Sequence, residues 1–163
     1  MNVNEVTPAA AAVEAQWLGA RQAWARTLER LGPVAWRLGT VAVLEAAYED
    51  PLLRQLYPYT SHCHVHFSST TRFPYEVAVP FVMPLADGRF RVVARDPFRE
   101  IGEVATAGEA VALVVAHVPR GLRLATTGLP REEPPVDASP VDVWRTGGPP
   151  KGLGRRRAEP QEG

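Results

Sequence analysis

An α+β fold, with helices packed on one face of a small, mainly antiparallel sheet of about four strands, is predicted by three features of the sequence. Apolar residues recur every three or four positions through the first part of the chain, and from Cys63 the period becomes two. Asp87-Gly88 then sits between two apolar runs as a two-residue hairpin signal. Last, Thr106-Ala107-Gly108-Glu109 has the spacing of a capping box and opens a closing helix.

Taken in order, Thr7 is expected to cap a first helix with Pro8 at its first position, where a missing N–H is harmless. Val13, Trp17, Ala20, Trp24, Leu28 and Leu31 make one apolar stripe, from which Glu14, Arg21 and Glu29 are excluded. Gly32 and Pro33 end that helix. Gly39 and Thr40 are expected to open a second helix, with Val41, Leu44 and Tyr48 on its buried side. Asp50-Pro51 restarts the chain as a further helical turn carrying Leu52, Leu53 and Leu56, and Pro58 stops it by biasing Tyr57 towards extended backbone.

In the first expected strand, Cys63, Val65 and Phe67 face the helices while His62, His64 and His66 share the other side. A second strand would turn Val77, Val79, Phe81, Met83 and Leu85 inward, and a third Phe90, Val92 and Ala94, with Arg89, Arg91 and Arg95 outward. A fourth short strand covers Ile101–Ala105. Because proline cannot donate to a ladder, Pro80 and Pro84 argue for placing the second strand at a sheet edge. The helix after Thr106 buries Ala107, Ala110, Val111, Val114 and Val118 and stops at Pro119, with His117 in its last turn.

An apolar share of 45% in 163 residues suits one domain of ordinary size, but sixteen prolines and thirteen glycines are many, and most of the excess lies beyond Gly121. We therefore expect a single α+β domain over residues 1–127 and a disordered Pro/Gly/Arg-rich tail over 128–163. Within that tail Pro140–Trp144 could dock to a partner, and Arg155–Arg157 could meet an acidic one. Eighteen basic and eighteen acidic residues cancel, so neither nucleic acid nor an anionic membrane is an expected partner. One cysteine makes no internal disulfide, and neither a signal segment nor the ~18 apolar residues of a membrane span is present, so a cytoplasmic location is expected.

Chemistry concentrates in Leu56–Ser69, which holds three of the four histidines and the cysteine. On a strand, neighbouring imidazoles of the set His62, His64 and His66 lie ~6.6 Å apart, so two could share a zinc, but the outer pair at ~13 Å could not converge. A further ligand from Glu76, Asp96 or His117 would be needed, and no metal or other cofactor is expected. Any of the three imidazoles is a candidate general acid or base, because the group titrates near neutral pH. Cys63 is expected to be a small core residue rather than a nucleophile, since strand neighbours point to opposite faces. Tyr57, Tyr59, Thr60 and Ser61 at the helix-to-strand junction are candidates to line a small-molecule pocket, or to satisfy backbone groups in turns. Arg89, Arg91 and Arg95, with Arg72, form a basic stripe able to receive carboxylate or phosphate, or simply a solvated face. No Walker sequence, zincin motif or Gly-x-Ser-x-Gly elbow occurs.

LEAAYEDPLLRQLYPYTSH (Leu44–His62), with the strand Val65–Ser68, and GEVATAGEAVALVVAHVP (Gly102–Pro119) resemble a family of small actinobacterial proteins of unknown domain type. These are labelled natural-product biosynthesis proteins. The resemblance spans roughly Thr40–Pro119 and offers no catalytic residue to carry over. It implies a setting in bacterial specialised metabolism, including antibiotic biosynthesis. The expected function is accordingly a non-catalytic accessory or small-molecule-binding protein, partnered by a small-molecule intermediate or a biosynthetic protein. The alternatives are a small cyclase, isomerase or hydrolase using a strand histidine, and an interaction module acting through the tail.

Overall fold

Thr7 Oγ1 accepts the Ala10 N–H and Pro8 occupies the first turn, so helix α1 runs over Pro8–Leu31. Gly32, at φ 79°, ends it by donating its N–H to the Leu28 carbonyl. These elements belong to a computed structural model that describes residues 6–122, all within the first of two units of the chain, Met1–Leu129. The expected tail over 128–163, with Pro140–Trp144 and Arg155–Arg157, lies outside the described residues.

Along α1, Val13 and Trp17 are buried while Ala20 and Trp24 pack at the core's margin. Leu31, expected on the stripe, is 52% exposed, because the core ends before the helix does. The Trp17 indole N–H reaches the carbonyls of both Arg54 and Leu56 at 3.0 Å. Those bonds fasten α1 to the chain just before the sheet.

Helix α2, Ala35–Glu49, starts four residues before the expected boundary. Gly39 and Thr40 lie inside it, and its buried stripe is Gly39, Thr40, Val43, Leu44 and Ala47 rather than Val41, Leu44 and Tyr48. Gly39 is there for contact: a Cβ at that position would stand 2.7 Å from the Pro84 Cβ. Asp50 caps the next turn as expected, its Oδ1 accepting the N–H groups of Leu52 and Leu53 at 2.9 Å. A short 3₁₀ turn, Leu53–Gln55, follows.

The sheet has five antiparallel strands in sequence order: β1 (Tyr57–Ser61), β2 (His64–Ser68), β3 (Phe81–Pro84), β4 (Phe90–Arg95) and β5 (Phe98–Val104). The strand missing from the sequence reading is β1, where Pro58 interrupts helix and begins sheet. It pairs with β2 from Tyr57↔Ser68 to Ser61↔His64. That register makes His62 and Cys63 the two-residue hairpin loop, at φ 59° and 120°. Neither belongs to a strand. The shared face of three imidazoles therefore reduces to His64 and His66, and Cys63 is a half-buried turn residue instead of a core one.

Pro80 and Pro84 do not push β3 to an edge. Leu85 donates its N–H to the Arg89 carbonyl at 2.8 Å, on the β4 side. By strand alternation the missing donors of Pro80 and Pro84 face β2 instead. The ladder to β4 keeps four pairs, and the ladder to β2 has one, Val65↔Val82. The face assignment on β3 is also reversed: Val82 points to the helices, and Phe81 and Met83 point away. A slip of one residue turns every side chain over.

Glu109 and Thr106 form the expected capping box for α3, Ala107–Ala116, which buries Ala110, Val111 and Val114. The core is one cluster in which the three helices meet Val65, Phe67, Val82, Phe90 and Val92 from the sheet. No described helix is long and apolar enough to cross a membrane.

Candidate functional site

The three helices of the described residues pack on one face of the sheet, and the other face carries none of them. Strand alternation delivers Tyr57, Tyr59 and Ser61 from β1, His64 and His66 from β2, Phe81 and Met83 from β3, and Arg91, Val93 and Arg95 from β4 to that face. The segment between β2 and β3 crosses over part of it. Buried Ser68 holds that segment: its Oγ accepts the N–H groups of Thr70 and Glu76 at 3.0 and 3.1 Å. The segment thereby places Tyr75 above β1.

The result is a row of stacked rings. Tyr75 lies 4.4 Å from Tyr59, Tyr59 4.8 Å from His66, and His66 4.5 Å from Phe81, centroid to centroid. Tyr57 stacks on Tyr75 and His64 on Phe81 at the two ends. Beside the row is a concavity of about 520 Å³, whose lining includes Tyr59, His64, His66, Tyr75, Phe81 and Arg95. Phe73 and Phe98, also in that lining, are 80% and 75% exposed. Such volume and apolar lining with a few polar groups are those of small-molecule sites.

His66 is the anomaly. The residue is 6% exposed, and its buried Nε2 has no hydrogen-bond partner among the described residues. Burial first, then the Arg95 charge and His64, pushes its imidazole down to about 4. Burial and His62 lower His64 in the same direction. Both rings are therefore uncharged at neutral pH, able to accept or donate one hydrogen bond but not to carry charge. Burial raises the Tyr59 phenol against the opposing pull of Arg95, and burial raises Tyr57 as well.

Other sequence candidates fall elsewhere. His62 touches Ser61 Oγ at 3.3 Å in the hairpin loop and does not line the concavity. Thr60 faces the helices and accepts the Trp24 indole N–H at 3.2 Å. Burial raises the Cys63 thiol, the direction opposite to activation. Arg91 is paired with Glu100 and Glu103, and Arg89 with Asp87 and Glu103, so both charges are already met within the β3–β5 region. Arg95 differs: it is exposed, lines the concavity, and has no carboxylate within ion-pair distance among the described residues. Among those residues no three His, Cys, Asp or Glu side chains converge as metal ligands.

Tyr75 and Phe81 were not singled out by sequence reasoning as site residues. Tyr75 sits in a segment without periodicity, and Phe81 was turned to the wrong face. The aromatic density of Phe73-Pro74-Tyr75 is the one signal that points there.

A family model described as a family of unknown function, DUF6193, matches residues 11–129. The match takes in the whole sheet, α2, α3 and most of α1. No curated protein and no solved structure matches the chain.

Proposed function

The chain belongs to the DUF6193 family of unknown function, and on that premise we propose that it binds a small molecule on the helix-free face of its sheet, without transforming it. The observation that carries this reading is the row of stacked rings beside a concavity of about 520 Å³, with the unpartnered imidazole of His66 in its wall. A sheet face meant only for water is polar and alternates with the buried one. This face carries rings. Binding is favoured over general acid–base catalysis because His66, held at about 4, is poorly matched to proton transfer near pH 7. Nor is either strand imidazole hydrogen-bonded to an orienting side chain among the described residues. The setting we propose is natural-product metabolism in an actinobacterium, supported by the resemblance of Leu44–His62 and Gly102–Pro119 to proteins carrying that label. There the protein would hold an intermediate for a biosynthetic enzyme.

The test is a fragment screen by NMR on the full chain, read at the histidine ring Cε1–H signals. Binding fragments are expected to move the His64 and His66 signals and leave His62 and His117 in place. A screen in which every bound fragment spares His64 and His66, or in which nothing binds at millimolar concentration, overturns the proposal.

A further inference from the structure

We infer that the ligand is a planar aromatic carboxylate, its ring against the exposed rings of the site and its carboxylate on Arg95. This deepens the binding reading and rests on it. The charge argument comes first. Among the described residues no Asp or Glu lines the concavity, and Arg95 is its one permanently charged group. The two neighbouring arginines of β4 and its approach turn are neutralised by Asp87, Glu100 and Glu103. Arg95 is left as the one unmet cation facing the site among the described residues, and a guanidinium binds a carboxylate through two parallel N–H···O bonds. A cationic ligand would meet repulsion there with no acid to compensate.

Shape argues for the ring. Phe98 stands directly across from Arg95 in the β4–β5 register, and Phe73 and Tyr75 meet edge to face at 6.1 Å. Phe73 and Phe98 are the only large aromatics left mostly exposed among the described residues, and both border this concavity. Rings so placed present flat apolar faces within reach of the guanidinium. Ring–ring contact stabilises by about 0.5–1.5 kcal/mol beyond area burial. A concavity of about 520 Å³ has room for a ligand of more than one ring.

Calorimetric titration of the full chain with three probes tests this: 2-naphthoate, its uncharged counterpart 2-naphthalenemethanol, and the aliphatic anion octanoate. 2-Naphthoate is expected to bind about tenfold more tightly than 2-naphthalenemethanol, the scale of one charge-assisted pair, and about two- to tenfold more tightly than octanoate, the scale of ring contact. Arg95→Gln, an exposed change compatible with folding, should remove the preference for 2-naphthoate over 2-naphthalenemethanol, and Arg89→Gln should keep it. Equal affinity for the acid and the alcohol overturns the role of Arg95. Equal affinity for 2-naphthoate and octanoate overturns the ring requirement. If none of the three binds while screened fragments still move His64 and His66, this inference fails and the binding reading stands. If no fragment moves those signals, both fail.

Discussion

Replacing His66 by phenylalanine should stabilise the protein and flatten its response to acid. The side chain is 6% exposed and sandwiched between Tyr59 and Phe81, so a phenyl ring keeps the stacking and removes the unpartnered Nε2. At pH 7.5 the gain should be about 1 kcal/mol, the lower end of what an unsatisfied buried polar group costs. The pH dependence follows from the shift from 6.5 to about 4. Between those values the unfolded chain binds the proton and the folded one does not, so stability falls as pH drops through that window and is level below it. At about 1.36 kcal/mol per unit the full loss is about 3.4 kcal/mol, of which about 2 kcal/mol has gone by pH 5. Urea unfolding at pH 7.5 and pH 5 measures this directly. The unsubstituted protein should lose about 2 kcal/mol more than His66→Phe between the two conditions. Titrating groups away from His66 cancel in that difference. Equal losses in the two proteins would refute the buried, neutral imidazole.

Three further outcomes are expected. Gly39→Ala brings a methyl to 2.7 Å from the Pro84 Cβ, and the ring cannot swing aside as a flexible side chain would; overpacking should outweigh the better helix propensity and lower stability by about 1 kcal/mol, read by thermal unfolding. Exchanging His62-Cys63 for Asn-Gly suits the two left-handed residues of the β1–β2 loop and should raise stability by about 1 kcal/mol; because neither side chain lines the concavity, fragment affinities should not change, and a loss of binding would restore His62 as a candidate. Ser68→Ala strips the acceptor from the N–H groups of Thr70 and Glu76; hydrogen exchange across residues 70–76 should accelerate, with a stability loss of about 1–3 kcal/mol.

What the sequence made legible was punctuation with a local cause. Thr7-Pro8, Gly32, Asp50 and the Thr106–Glu109 box each act through a hydrogen bond or a φ preference within a few residues, and each stands where it was read. Asp87-Gly88 marks a hairpin as expected, but Leu85 pairs with Arg89, so the loop has three residues, 86–88, rather than two. The start of α2 escaped notice because its cap, Val34, makes no side-chain hydrogen bond and so leaves no mark. The β1–β2 hairpin escaped for a related reason. A two-residue loop with positive φ usually announces itself through Gly or Asn, and here histidine and cysteine bear it. On β3 alternation is silent, since Phe81, Val82 and Pro84 are all buried and apolar residues occupy both faces. Of the site, Tyr59, Ser61, His64 and His66 were legible because hydroxyls and imidazoles crowd into one short stretch of sequence, although β1 itself was not. Tyr75 and Phe81 reach them through tertiary structure, over a segment that buried Ser68 pins from the helix-free face.

Strand β2 joins the two halves of this molecule. Val65 and Phe67 point into the cluster beneath the helices, while His64 and His66, one position removed, point into the ring-lined face. Core packing therefore fixes the register that brings the imidazoles to Tyr59 and Phe81, and a slip would cost the core before it cost the site. Stability alone would place an apolar ring at position 66, since a buried nitrogen without a partner is a standing penalty. It would likewise leave Arg95 paired, as Arg91 is with Glu103. The first is a departure from the most stable arrangement; the second costs little, because Arg95 is exposed, and it leaves a cation on the same concave surface for a bound anion. Arg95→Gln should then weaken the binding of an anion with little change in stability, while His66→Phe gains stability and keeps the stacked row between Tyr59 and Phe81, a divergence that stability alone would not produce at either position.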